Sequence, residues 1–130
     1  MKLLNELYEI IGKNSGDGVL TYQVRFNPDC LIYQSHFPGN PITPGVCLIQ
    51  MASEILELEY HHTYDLSLLK SIKFKRTVRP GEVMSFIFTD MAQDDDLFKV
   101  NVSVENEEAQ YAKMALSYRE VKSEKCKVYG

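Results

Sequence analysis

Residues 36–45, HFPGNPITPG, place three prolines and two glycines in ten positions. No helix or strand survives that density. Each proline fixes φ and removes a backbone donor, and the glycines add freedom where a regular element needs constraint. The stretch is therefore an ordered loop, stiffened chiefly by Pro38 and Pro41, and the chain must restart after it as a new element. The period then changes. From Val46 to about Tyr60, Cys47, Met51, Ile55 and Leu58 recur at helical spacing, and Ile49, Ala52 and Leu56 mark an adjoining face. Two apolar stripes predict a helix covered on most sides, so loop and central helix together occupy about 36–60.

On either side the periodicity is that of strands. Leu20, Tyr22, Val24 and Phe26 alternate with Thr21, Gln23 and Arg25 until Pro28 ends the run. Beyond the helix, Ile72, Phe74 and Val78 alternate with Lys73, Lys75 and Thr77 before a Pro80-Gly81 turn, and Met84, Phe86 and Phe88 follow. Asp94-Asp95-Asp96 makes a hairpin-like break ahead of Phe98, Val100, Val102 and Val104. Asn106 to Glu108 break again before a last strand from Tyr111 to Val121. Antiparallel strands thus fill about 68–121. Near the N-terminus, Leu3, Leu4, Leu7, Tyr8, Ile10 and Ile11 fall on one helical stripe with Gly12 just past it, predicting a helix over about 2–12. No repeat and no linker interrupts the chain. The expectation is one α+β domain over 1–130, with a curved antiparallel sheet wrapped around a long central helix.

Composition narrows the function classes. One hundred and thirty residues suit a single domain with a real core. Fourteen basic residues against eighteen acidic ones give a net charge of −4, which disfavours a general nucleic-acid binder. No apolar run approaches the ~20 residues of a membrane span. Glu6 and Glu9 sit inside the apolar start, so no secretory signal is expected and a cytoplasmic setting with reduced thiols follows. Cys30, Cys47 and Cys126 show no metal-type spacing, and Cys47 reads as a buried, inert thiol. His61-His62 closes the helix, and Asp94–Asp96 lacks a calcium loop's spacing. Neither a cofactor nor a metal is expected.

The run His36-Phe37-Pro38-Gly39-Asn40-Pro41-Ile42-Thr43-Pro44-Gly45-Val46 resembles the HFPGxPxxPGV signature of the 3-hydroxyacyl-[acyl-carrier-protein] dehydratases of the FabZ/FabA type. Phe74-Lys75-Arg76-Thr77-Val78-Arg79-Pro80-Gly81-Glu82 is similar to that family's later strand and turn, so the likeness touches most of residues 18–121. It implies the hot-dog fold, usually paired into dimers, and the removal of water from a 3-hydroxyacyl thioester. That reaction needs a base for the C2 proton, a donor for the thioester oxygen and a proton for the departing hydroxyl. The resemblance makes His36 the base, since an imidazole titrates near working pH. It makes the Gly45 N–H, at the positive end of the helix, the holder of the thioester carbonyl. Phe37, Gly39, Pro44 and Val46 become its substrate-contacting neighbours. As a plain start of the helix, Pro44-Gly45 needs none of this, and both readings can hold together.

One position departs from the pattern. The family's catalytic carboxylate lies fourteen residues after the histidine, and here that count reaches Gln50. A glutamine hydrogen-bonds but cannot supply a proton. Glu54 lies one turn further on the same face, a rise of ~6 Å, either as a substitute at the substrate or as a paired helix carboxylate. Three explanations of Gln50 stand side by side. His36 can both take and return the proton while Gln50 holds the hydroxyl or a water. A second hot-dog subunit can donate the carboxylate in a heteromeric enzyme. Or the chain binds acyl carriers without dehydrating them, or acts as a thioesterase.

The resemblance also implies an acyl carrier protein as partner, and such carriers are acidic. Lys70, Lys73, Lys75, Arg76 and Arg79 put five of the fourteen basic residues into ten positions. The cluster is a docking patch or an ordinary solvated strand face. If strand alternation runs through it, Lys73, Lys75 and Arg79 share a face and Arg76 points the other way. A homodimer or higher oligomer is expected, or a heteromer with a second hot-dog chain.

Overall fold

The computed structural model describes residues 2–35 and 38–121. His36, Phe37 and Cys126 lie outside the described residues. Six strands form one sheet: β1 (Tyr8–Gly16), β2 (Val19–Phe26), β3 (Thr63–Phe74), β4 (Val83–Asp94), β5 (Leu97–Glu105) and β6 (Gln110–Val121). Their spatial order is β1-β2-β4-β5-β6-β3, with every neighbouring pair antiparallel. A short α1 (Ile32–Ser35) precedes the loop, and α2 (Gly45–Tyr60) is the long helix.

Register explains the core. Leu20, Phe88, Val102, Met114 and Ile72 stand opposite one another across five strands. Tyr22, Phe86, Val104, Ala112 and Phe74 make the next such row. Apart from Phe74, these rows pack in one cluster with Cys47, Leu48, Met51, Ala52, Ile55 and Leu56 of α2. This is the hot-dog arrangement, a curved sheet around one helix. Alternating strands supply the inner face because side chains repeat every two residues, so the period seen in β2, β4 and β5 translates directly into burial.

Three expectations need correction. Residues 2–12 are not a helix: Tyr8–Gly16 is β1, paired with β2. Ten residues gain little as an isolated helix, and pairing with an alternating neighbour outweighs that preference. The doublet that imitated helical spacing is a bulge. Ile10 pairs with Val24 and Gly12 with Gln23, which leaves Ile11 as the extra residue. Asp17 and Gly18 close the hairpin with φ of 54° and 76°, the turn chemistry an Asp-Gly pair favours.

The strand read through Val78 stops at Phe74, where β3 ends, and β3 starts earlier than expected, at Thr63. It is an edge strand with two register shifts against β6, so its apolar residues do not alternate cleanly. Alternation therefore does not order the basic cluster beyond residue 74. Finally, α2 is covered along one broad stripe rather than on most sides. Val46 and Leu58 are exposed and Ile49 is half-buried.

Candidate active site at the start of the long helix

The loop is held by contacts its sequence does not advertise. The Thr43 N–H donates to the Val78 carbonyl at 2.8 Å, tying the loop to the segment after β3. The hydroxyls of Thr43 and Tyr33 meet at 2.7 Å in a buried pair. Burial pushes the Tyr33 hydroxyl up to about 12, so it stays protonated and can hydrogen-bond at any working pH. Arg79 donates to Asn40 Oδ1 at 2.9 Å across the outside of the loop. Gly39 adopts a φ of 88°, where a side chain would be strained.

Pro44 is the N-cap of α2, extended at φ −60° and ψ 143°, and its side chain makes no capping hydrogen bond. The first N–H groups of a helix have no partner one turn back within it, and here the Pro44 carbonyl accepts from that of Cys47 at 3.0 Å. Gly45 is needed here for space rather than for backbone freedom. A Cβ on it would lie 2.6 Å from two atoms of the Phe74 ring and 3.0 Å from a third. Phe74, the last residue of β3, thus lays its ring over the helix start while remaining 49% exposed. Neither the glycine's partner nor its reason was legible in the sequence.

Gln50 lies five residues on, a rise of ~7.5 Å along the helix, and is half-buried. Its Nε2 donates to Glu54 Oε2 at 2.9 Å. Glu54 is not an open carboxylate. It accepts from the Leu3 N–H at 2.7 Å, the Leu4 N–H at 2.9 Å and the Tyr8 hydroxyl at 2.9 Å, as well as from Gln50. Of the two expectations for Glu54, the structure gives the paired carboxylate. Burial, then the Glu54 charge, pushes the Tyr8 hydroxyl well above the ordinary phenol range, so it remains a donor. Leu3 and Leu7 are buried on the same core. The N-terminal segment is therefore bound to the helix turn that carries Gln50 and Glu54, which periodicity could not have shown.

Cys47 is buried, and burial raises its thiol above the ordinary range, so it is protonated and unreactive at neutral pH. The basic residues stay exposed but divide their partners. Lys75 donates to Gln110 at 2.5 Å, the Arg76 guanidinium lies 5.8 Å from the Tyr111 ring centre, and Arg79 reaches the loop. Lys73 is exposed on β3 beside Phe74. Among the described residues no group of three His, Cys, Asp or Glu side chains could hold a metal ion. No helix among the described residues is long and apolar enough to cross a membrane.

An antiparallel sheet curved around one long helix defines a protein of the hot-dog fold. The match to known proteins is more specific. Residues 12–121 match the ApeI-like family, described as the ApeI dehydratase, and the chain belongs to that family. The 3-hydroxyacyl-[acyl-carrier-protein] dehydratase FabZ of Lactobacillus helveticus is 34% identical over 103 residues, covering 73% of this chain and 68% of that one. The dehydratase heterocomplex ApeI:P of Xenorhabdus doucetiae superposes with a TM-score of 0.71 at 15% identity, over 85% of this chain and 96% of that one. A thioesterase of Haemophilus influenzae gives 0.64 at 13% identity, over 91% and 81%. At such identities the two structures establish the fold alone. The sequence relationship makes this chain a FabZ-like, dehydratase-type protein, of the hydro-lyase class.

Proposed function

We propose that this chain dehydrates 3-hydroxyacyl groups carried on an acyl carrier protein, with a glutamine standing where the family has a carboxylate. The observation that carries the proposal is the uncapped, glycine-led start of α2, placed directly after the His36 loop and one turn and a half before Gln50. His36 takes a proton from C2 of the substrate. The thioester oxygen, which gains negative charge as the C2–H bond breaks, is held by the Gly45 N–H at the positive helix end. The electron pair then forms the C2–C3 double bond and the C3–O bond breaks. His36 returns its proton to the leaving hydroxyl, which departs as water, so the enzyme ends as it began. Gln50 orients the hydroxyl. Phe37, Gly39, Pro44 and Val46 border the thioester.

The carrier docks on the exposed cations Lys73, Lys75, Arg76 and Arg79, which lie beside Phe74 and the loop. Attraction between an acidic carrier and this patch speeds encounter more than it adds affinity. The working unit is a cytoplasmic dimer of two copies paired along β3. Among the described residues that strand is a sheet edge with one side unpaired, and it exposes Leu66, Leu68, Leu69 and Phe74. An unpaired edge rich in exposed leucine is a hazard unless something covers it, and two-fold symmetry lets one such edge cover another. The exposed Val46 and Leu58 of α2 support the same reading.

A second reading is favoured by one specific residue. Because Gln50 cannot give up a proton to the hydroxyl, in this reading a second hot-dog subunit brings the carboxylate. The test is the absorbance of the conjugated product formed from a 3-hydroxyacyl carrier thioester. His36→Ala should abolish it. Dehydration by that variant at the wild-type rate would remove the proposal, and product appearing only with a second hot-dog chain would transfer it to the heteromer. Release of free thiol without conjugated product would mark a thioesterase.

A further inference from the structure

β3 carries two bulges, and their placement constrains what its free edge can pair with. Ser67 and Lys70 are the extra residues, left over where the register shifts between Leu66 and Leu68 and between Leu69 and Ser71. The remaining side chains sort onto two faces. Leu66, Leu69, Ile72 and Phe74 stand opposite the buried Tyr118, Leu116, Met114 and Ala112. Asp65, Leu68, Ser71 and Lys73 stand opposite Arg119, Ser117, Ala115 and Lys113 on the other face. Lys73 thus meets Lys113 across the ladder, and like charges directly opposite destabilise a sheet. Among the described residues neither lysine has an ion-pair partner, nor has Asp65, whose neighbour Arg119 is taken by Asp96.

We infer that two copies pair along β3 about a two-fold axis at Leu69, with Asp65 of each copy beside Lys73 of the other. The inference rests on the dimer proposed above and fixes its register. In an antiparallel seam, residues directly opposite share a face, so a two-fold axis passes through one residue, which then meets its own copy. With the axis at Leu66 or before, or at Ser71 or beyond, both bulges fall on one arm and the two arms lose step. Leu68 and Leu69 lie between the bulges, which gives each arm one extra residue. An axis at Leu68 sets Asp65 against Ser71 and leaves Lys73 facing Thr63. An axis at Leu69 sets Leu66 against Ile72, Tyr64 against Phe74 and Asp65 against Lys73, each pair equally far from the axis along the chain. Charge therefore selects Leu69, because the Lys73–Lys113 pair then gains the carboxylate it lacks. The same register brings the partner's Tyr64 against Phe74, the ring that lies over Gly45, so each copy supplies a wall of the other's candidate site.

Cysteine cross-linking reads the axis. A residue on it meets its own copy at a Cα separation of about 4.5–5.5 Å, inside the range of about 4.4–6.8 Å that a disulfide spans. Leu69 is 48% exposed, so the fold tolerates Leu69→Cys. Under mild oxidation that variant should form a covalent dimer joined at position 69, identified by peptide mass spectrometry. Leu68→Cys, which projects from the other face, should not link to its own copy. The reverse pattern, or no link between the two copies of position 69, would overturn the axis. Charge gives a second readout. Asp65→Lys and Lys73→Asp should each raise the dimer dissociation constant on the order of 10-fold in sedimentation, since two ion pairs are lost and repulsion replaces them. Combining the two changes should restore wild-type affinity, and a double variant no tighter than the singles would reject the Asp65–Lys73 contact. Light scattering of the wild-type chain tests the dimer itself. A monomer, or assembly only with a different hot-dog chain, would remove the pairing altogether, whereas a dimer that does not link at position 69 would remove this register alone.

Discussion

Replacing Gly45 with alanine separates two reasons for the glycine. The added Cβ would sit 2.6 Å from the Phe74 ring, about 1 Å inside ordinary carbon contact. Phe74 is 49% exposed, so its ring can swing outward instead of forcing the helix to move. The cost is then the contact the ring gives up. Full burial of a phenylalanine side chain stabilises by about 1.5–3 kcal/mol, and half of it by about 1 kcal/mol. A chain of this length should lose about 4 °C in Tm. The expected sign reverses once the ring is gone. In a Phe74→Ala background, Gly45→Ala meets no obstruction and gains up to about 1 kcal/mol, because alanine has less backbone freedom to lose on folding. Differential scanning calorimetry of the four-protein cycle reads this coupling directly. Turnover should behave differently. If the Gly45 N–H holds the thioester oxygen, the methyl obstructs the substrate in either background, and activity stays low while stability recovers. Equal destabilisation in both backgrounds would refute the packing argument, and activity recovering along with Tm would refute the role given to Gly45.

Two further outcomes follow from the same geometry. Burial alone would raise the Glu59 carboxyl, but hydrogen bonds from Lys13 and Tyr22 outweigh it and hold it below its ordinary 4.5. A lowered folded value adds stability above the unfolded value and loses it as pH falls through the folded one. The urea midpoint should therefore exceed that of Glu59→Gln above pH ~5 and converge on it in more acid solution, whereas a constant gap would contradict the assignment. Leu68, 49% exposed on the β3 edge, contributes little to the single chain's core, so Leu68→Asp should halve the mass by light scattering with the far-ultraviolet spectrum unchanged. An unaltered mass would refute the proposed pairing along β3.

The sequence was most legible where one periodicity acted alone. β2, β4 and β5 pair on both sides and bury one face, so Leu20 to Phe26 and Phe98 to Val104 alternated as strands should. The Pro/Gly loop and the start of α2 were legible for the opposite reason, because local chemistry forbids alternatives there. Reading failed where a tertiary partner decided. The bulge at Ile11 made β1 resemble a helix, although Asp17-Gly18 signalled its hairpin. The edge strand β3, paired on one side only, kept no clean alternation. Within the candidate site, the family resemblance singled out Gly45 and Gln50, but the Phe74 ring over the one and the Glu54 carboxylate on the other join residues 29 and 4 positions apart through packing and orientation that no sequence pattern specifies.

The central claim is that this chain, with glutamine at position 50, carries out dehydration by itself. The most direct measurement is conjugated-product formation from a 3-hydroxyacyl carrier thioester by the purified chain alone, with Gln50→Glu in parallel. The account predicts steady turnover by the wild type. A silent wild type beside an active Gln50→Glu variant would contradict it, and would mean that the missing acid comes from another subunit.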